Sequence, residues 1–169
     1  MKKLIVSLAC ALCAVSGLRA QNYAFINSES VFKSLDDYNA AIKQLDDLAA
    51  QYRKNVEQAF AGLDEMYENY QAQKAYLSET NRNRREDEIV TREREINKYQ
   101  QDVLGPEGDL MKKRVELIKP IQDRVFAVID KYAKDNALGM IIDRTNNQTL
   151  LYYAPELDKT EEIINLLKQ

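Results

Sequence analysis

The sequence predicts a mainly α-helical fold with a small β part, built around a long helical hairpin. Two long stretches carry apolar residues at helical spacing, and a polar segment near residues 78–83 separates them. Short runs typical of strands lie near the two ends of the mature chain. Two arms of similar length joined by a polar turn are typical of an antiparallel coiled-coil hairpin.

The N-terminus resembles a secretory signal peptide. Lys2 and Lys3 precede an uncharged apolar run, Leu4–Val15. A run of that length suits a signal peptide and is too short to span a bilayer, which disfavours the alternative of a retained anchor helix. We expect residues 1–20 to direct export and to be removed by cleavage after Ala20. The mature protein would then keep no stable membrane anchor.

Composition excludes several function classes. Removing the leader's three basic residues leaves 21 basic and 27 acidic residues, a net charge of −6, which is unlike a nucleic-acid-binding chain. Cys10 and Cys13 both lie in the leader, and the chain has no His. The mature protein therefore lacks histidine, the commonest metal ligand and general base, and has no cysteine to act as a nucleophile or bind a metal. We predict no catalytic residue, no metal and no cofactor, and not an enzyme.

The first mature elements are short. Tyr23–Ile26 is predicted to be a strand, and Asn27 or Ser28 can cap a helix over Glu29–Lys33. Ser34 is predicted to cap the next helix.

The outgoing arm is predicted to run from Tyr38 to Leu77 as one helix about 60 Å long. Its apolar residues recur at threes and fours: Tyr38, Ile42, Leu45, Leu48, Tyr52, Val56, Phe60, Leu63, Tyr67 and Tyr70. A helix of that length needs a partner helix beside it.

The return arm is predicted to be interrupted twice. Gly105-Pro106-Glu107-Gly108 should end or kink the helix, and Pro120 should kink it again. The first interruption is interpreted either as a hinge that lets the arm flex or as a tolerated kink that only shapes it.

The C-terminal part changes period. Leu138–Asp143 and Thr149–Tyr153 are predicted to be two strands of a hairpin, followed by a helix over Lys159–Lys168 that Asp158 and Glu161 begin.

Residues 21–35 and 136–169 are therefore assigned to one head region, and residues 36–135 to the helical hairpin. Three short strands cannot bury both faces of a sheet, so the head is expected to oligomerise. The residues predicted for the core of the head or of the oligomer are Phe25, Ile26, Ile141, Ile142, Leu150 and Leu151.

Four short segments, taken in order, resemble the Skp/OmpH family of periplasmic chaperones. They are Ala24-Phe25-Ile26-Asn27 with Val31-Phe32, Lys119-Pro120-Ile121-Gln122-Asp123-Arg124-Val125, Met140-Ile141-Ile142-Asp143 and Leu157-Asp158-Lys159-Thr160. The resemblance implies a homotrimer with a small β-barrel-like head, from which three helical tentacles surround an open cavity. It also implies ATP-independent holding of unfolded outer-membrane proteins in the periplasm, which prevents their aggregation.

The charge departs from the family pattern, whose well-known members are strongly basic. Only the predicted tip is locally basic: Lys74, Arg82, Arg84 and Arg85 against Glu79 give +3 between residues 74 and 85. These charges are interpreted either as a site of electrostatic attraction or as an ordinary solvated turn.

Client binding is assigned to the aromatic residues and arginines of the arms: Tyr52, Tyr67, Tyr70, Tyr76, Tyr99, Arg82, Arg84 and Arg85. A tyrosine ring adds apolar contact area while its hydroxyl tolerates water. Helical spacing favours a place between the helices for four of the tyrosines, and Tyr76 is the best candidate to face a client. The alternative function is a structural or adaptor coiled coil of the cell envelope that docks a folded partner.

Overall fold

The computed structural model describes residues 22–147 and 149–169, and the predicted leader, residues 1–20, lies outside them. The chain divides into two compact units. One comprises Asp36–Gln122, and the other comprises the described residues up to Leu35 and from Asp123 onward. The predicted head began again only at residue 136. Among the described residues, no helix is long and apolar enough to cross a membrane.

Two short strands form a parallel pair. β1 (Tyr23–Ile26) lies beside β2 (Met140–Asp143), with Tyr23 opposite Met140 and Ile26 opposite Asp143. Parallel pairing needs a long crossover, which the helical part of the chain provides. The strand predicted over Tyr23–Ile26 is confirmed, and Ala24, Phe25 and Ile26 are buried in it.

Two short helices pack against each other in the same unit. α1 (Ser28–Lys33) begins at Asn27, whose Oδ1 accepts a hydrogen bond from Ser30 N at 2.9 Å, as the capping prediction expected. Ser34 is the C-terminal cap of α1, and its hydroxyl donates to Val31 O at 2.8 Å. α5 (Thr160–Leu167) buries Ile163 completely, and α1 buries Val31 completely.

The hairpin-like pair consists of α2 (Asp36–Gln73) and α3 (Glu79–Leu104). A single 3₁₀ turn, Lys74–Tyr76, joins them. The tip prediction near residues 78–83 was therefore placed too late, because Ser78 caps α3 and the following polar residues are already helical. The buried residues of the two helices lie at helical spacing: Ala41, Leu45, Ala49, Val56 and Tyr70 in α2, and Ile96 and Val103 in α3.

The second half of the return arm is α4 (Asp109–Asp135), which follows the predicted interruption at residues 105–108. The helix continues through Pro120, where a kink is predicted. Pro120 and Glu116 are both exposed, so water can satisfy the Glu116 carbonyl that Pro120 cannot bond.

The prediction of a strand over Thr149–Tyr153 is wrong. Among the described residues the sheet has two strands, and residues 150–154 pair with neither. One edge of β2 pairs with β1. This pairing holds β2 in the sheet without a second hairpin strand from residues 149–153. Of the residues predicted for the core of the head or of the oligomer, Ile141, Ile142 and Leu150 are half-buried and Leu151 is 94% exposed in the single chain.

Candidate functional site

The end of the hairpin-like pair where α2 turns into α3, residues 66–90, contains most of the predicted client-binding residues. We call this region the turn end. Its backbone is fixed by short-range bonds: Leu77 N donates to Lys74 O at 3.4 Å, and Arg82 N donates to Ser78 O at 2.9 Å. Arg82 Nη2 also donates to Leu77 O at 3.4 Å, so this arginine ties α3 to the turn.

A polar cluster joins the two helices beside the turn. The Tyr70 hydroxyl donates a hydrogen bond to Glu86 Oε1, and Lys74 Nζ lies 3.6 Å from the same oxygen. The Lys74 ammonium also lies 5.3 Å from the centre of the Tyr70 ring, which adds a cation–π contact. The cluster connects residues 16 positions apart, so it fixes how α3 lies against α2.

The ionisation of the cluster reflects these contacts. Burial of Tyr70 and its hydrogen bond with Glu86 raise the pKa of the phenol. The same hydrogen bond, assisted by the charge of Lys74, lowers the pKa of Glu86 despite partial desolvation. Glu86 therefore remains a carboxylate at neutral pH and can hold both partners.

The predicted tyrosines fall into three groups. Tyr76 is 90% exposed and Tyr67 is 52% exposed, so both rings are available at the surface. Tyr70 is 5% exposed and belongs between the helices. Tyr52 and Tyr99 are half-buried, and Asn55 Nδ2 donates to the Tyr99 hydroxyl at 3.4 Å. Helical spacing placed Tyr67 with the inner group, whereas its side chain is exposed.

The basic residues of the turn end are offset by acidic ones. Arg84 Nε and Arg85 Nη1 approach Glu88 at 3.9 and 3.4 Å, and Lys74 approaches Glu86. From Lys74 to Glu88 the chain carries four basic and four acidic residues, a net charge of zero. The +3 counted up to Arg85 is therefore cancelled by Glu86, Asp87 and Glu88.

Two open grooves border the turn end, with volumes of about 760 and 340 Å³. Met66 lines both of them, and its flexible thioether side chain suits contacts of variable shape. Sequence reasoning missed Met66 and Glu86. Met66 lies one position from Tyr67 in the apolar pattern, but the partner of Glu86 depends on the register of α3 against α2.

The unit that contains β1 and β2 presents a second exposed surface. Met140 on β2 is 49% exposed, and Leu151 and Tyr152 are 94% and 80% exposed. The following residue, Tyr153, lies inside, with its ring 5.1 Å from that of Phe25. In the described ranges no group of His, Cys, Asp or Glu could hold a metal ion.

Comparisons with known proteins give a match to one family and a solved structure of similar fold. The sequence profile described as Outer membrane protein (OmpH-like) matches residues 22–167. A crystal structure from Caulobacter crescentus CB15, described as an outer membrane chaperone (OmpH-like), is similar in fold. Its TM-score is 0.69 at 12% sequence identity, over 89% of this chain and 86% of that chain. No curated protein matches the sequence.

Proposed function

Since this chain belongs to the OmpH-like outer membrane protein family, whose proteins act as chaperones, we propose that it holds unfolded outer-membrane proteins. In this proposal it prevents their aggregation in the periplasm and uses no ATP. The exposed rings of Tyr67 and Tyr76 at the turn end are the observation that supports it most directly. Exposed aromatic groups provide weak, non-directional contacts, which suit clients without a fixed structure.

The helical pair supplies the holding surface in this proposal. Tyr70 pairs with Glu86 and Asn55 with Tyr99, so contacts farther from the turn join residues farther apart in sequence. That progression supports an antiparallel coiled-coil arrangement of α2 and α3, in which each arm presents its outer side chains to a client.

Assembly into a homotrimer is part of the same proposal. The outer edge of β2 carries backbone groups that no described strand pairs, and an open edge of this kind favours pairing with another chain. Leu151 and Tyr152 lie in a segment that is neither helix nor strand and that exposes apolar surface. We propose that this surface packs against other copies, which would complete a β-barrel-like head that one chain cannot close.

The location follows from the leader. We propose that residues 1–20 direct export and are removed after Ala20, and that the mature protein works in the periplasm. No enzymatic step is included, because holding requires binding only.

Light scattering tests the holding function. A urea-denatured outer-membrane β-barrel protein is diluted into buffer without nucleotide, with and without the mature protein. The proposal predicts that scattering is suppressed at a small molar excess of chaperone. An unchanged rise in scattering contradicts it, and stable binding to one folded envelope protein would then favour the adaptor function.

A further inference from the structure

The segment between α3 and α4, residues 105–108, is a closed β-turn. Gly108 N donates to Gly105 O at 2.9 Å, which places Pro106 at the second position and Glu107 at the third. Proline is favoured at the second position because its ring already holds the φ that the turn requires, and glycine is favoured at the fourth.

Both glycines are required by close backbone contacts. A Cβ atom at Gly105 would lie 2.4 Å from Gln101 O, and one at Gly108 would lie 2.9 Å from Asp102 O. Side chains essentially never approach a backbone atom so closely, and a backbone carbonyl cannot move aside as a flexible side chain can. The glycines therefore permit tight packing of the turn on the end of α3.

Hydrogen bonds continue through the turn into both helices. Gly105 N donates to Gln101 O at 2.9 Å, which completes the last turn of α3. Lys112 N donates to Gly108 O at 3.1 Å, which begins α4. Gly108 and Val103 are both buried, so opening the turn would expose apolar surface as well as break bonds.

We infer that residues 105–108 form a rigid elbow, which fixes the direction of α4 relative to α3, and not a flexible hinge. A hinge needs few contacts and backbone groups that can exchange partners with water. In this turn, by contrast, backbone hydrogen bonds run without a gap from α3 into α4. The proline ring restricts φ, and at two glycines the backbone packs too closely to admit a Cβ. Any adaptation of the arms to a bound molecule must therefore occur elsewhere in the chain.

Residue-resolved hydrogen exchange on the mature protein tests this directly. The amides of Gly105, Gly108 and Lys112 are the ones whose bonds a hinge must break. A rigid elbow predicts protection of at least about 100-fold over unstructured peptide for all three. Protection below that level at Gly105 and Gly108, with α3 and α4 protected, overturns the inference.

Glycine substitutions provide an independent test with a matched control. Gly62 lies inside α2, and no atom lies within 4 Å of the position that an added methyl carbon would take. Gly62→Ala should therefore leave the melting temperature unchanged or raise it by about 2–4 °C. Gly108→Ala should lower the melting temperature, because the new methyl meets backbone atoms. Equal melting temperatures for the two variants contradict a rigid elbow. If Gly108→Ala does not fold, hydrogen exchange of the wild-type amides decides between a rigid elbow and a hinge.

Pro106→Gly separates rigidity from simple packing. It keeps the space of the turn but removes the ring that restricts φ. The elbow predicts faster exchange at Gly105, Gly108 and Lys112 with no change in the middle of α2. Unchanged exchange at these three amides in the variant would show that the proline ring contributes no rigidity, and would count against the inference.

Discussion

Asp158 organises the polar contacts around the strand pair. Its Oδ1 accepts hydrogen bonds from Thr160 N at 3.0 Å and Thr160 Oγ1 at 2.5 Å. Its Oδ2 accepts from Arg144 Nε at 2.9 Å and from the Tyr153 hydroxyl at 3.3 Å. One carboxylate thus connects the start of α5, the residue after β2 and the aromatic ring that packs on Phe25.

The ionised form of Asp158 is favoured by these partners. Burial opposes ionisation, but hydrogen bonds from Thr160 and the charge of Arg144 outweigh it, so the pKa of Asp158 is lowered. The pKa of Asp143 is lowered in the same sense, since hydrogen bonds from Ser28 and Thr145 outweigh its partial burial. Both carboxylates contribute stability that is present above their unfolded pKa of about 3.9 and lost as pH falls through the lower folded pKa.

Acid should therefore weaken the fold through Asp158. The wild-type free energy of unfolding should fall as pH drops below about 4, and Asp158→Asn should lower it at pH 7 by about 1.5–3 kcal/mol because the charged pair with Arg144 is lost. Between pH 7 and pH 3, the free energy of unfolding of the variant should also decrease less than that of the wild type. Urea unfolding followed by circular dichroism at pH 7 and pH 3 measures both effects.

Asp130→Asn is the matched control for that experiment. Asp130 pairs with Lys134 at 2.6 Å, but both side chains are mostly exposed, so the loss should be below about 0.5 kcal/mol. Equal stability of the Asp158 and Asp130 variants at pH 7 would contradict the role assigned to Asp158.

Local chemistry decided which residue-scale predictions were correct. The Asn27 cap was predictable because a cap and its helix are adjacent in sequence. The Tyr70–Glu86 bond was not, because it depends on where the chain turns, and the turn was placed too late. Leu151 is 94% exposed in the single chain, so its place in the core of an oligomer stays a prediction.

At the scale of elements, periodicity predicted the helices, whereas apolar runs predicted two strands correctly and a third, over residues 149–153, wrongly. α2 lies close to its predicted range because its spacing of apolar residues repeats over 38 residues. A strand, in contrast, exists only where another strand pairs with it. β2 was predicted from the same kind of apolar run as residues 149–153, and only β2 meets β1.

The exposed tyrosines of the turn end should matter for binding and not for folding. Tyr67→Ser with Tyr76→Ser removes two exposed rings, so the free energy of unfolding should change little. The affinity for an unfolded client should fall about 5–30-fold. Titration of a fluorescent denatured client measures the affinity. Leu166→Ser, which alters an exposed apolar residue of α5, should leave it unchanged, and equal losses in both variants would contradict a specific role for the turn end.

The balanced charge of residues 74–88 predicts binding with little salt dependence. Opposite charges in equal number give a weak net field beyond the screening length of about 10 Å at 0.1 M salt. Client affinity should therefore change by less than about twofold between about 50 and 300 mM salt.

Removing the acidic charges that offset the basic residues should make client affinity depend on salt. Glu86→Gln with Glu88→Gln gives residues 74–88 a net charge of +2, so an acidic client should bind more tightly at low salt. Glu93→Gln with Glu95→Gln makes the same change farther along α3 and serves as the control. Strong salt dependence in the wild-type protein would contradict a neutral contact surface.

At the scale of the whole molecule, a single chain leaves apolar surface that an assembly would cover. Leu151→Asp with Tyr152→Ser should convert the proposed trimer to a monomer, because it places polar groups in the contact between copies. Light scattering coupled to gel filtration gives the mass. The Tyr67 and Tyr76 double variant should remain trimeric, and a wild-type monomer would contradict the assembly.

The holding function is tested most directly by the mass of a chaperone–client complex. Mature protein and a urea-denatured outer-membrane β-barrel protein are mixed without nucleotide and separated by gel filtration with mass detection. We expect a soluble complex of one client with three copies of this chain. Client that pellets or elutes apart from the protein, while the protein itself remains folded, would contradict the holding function.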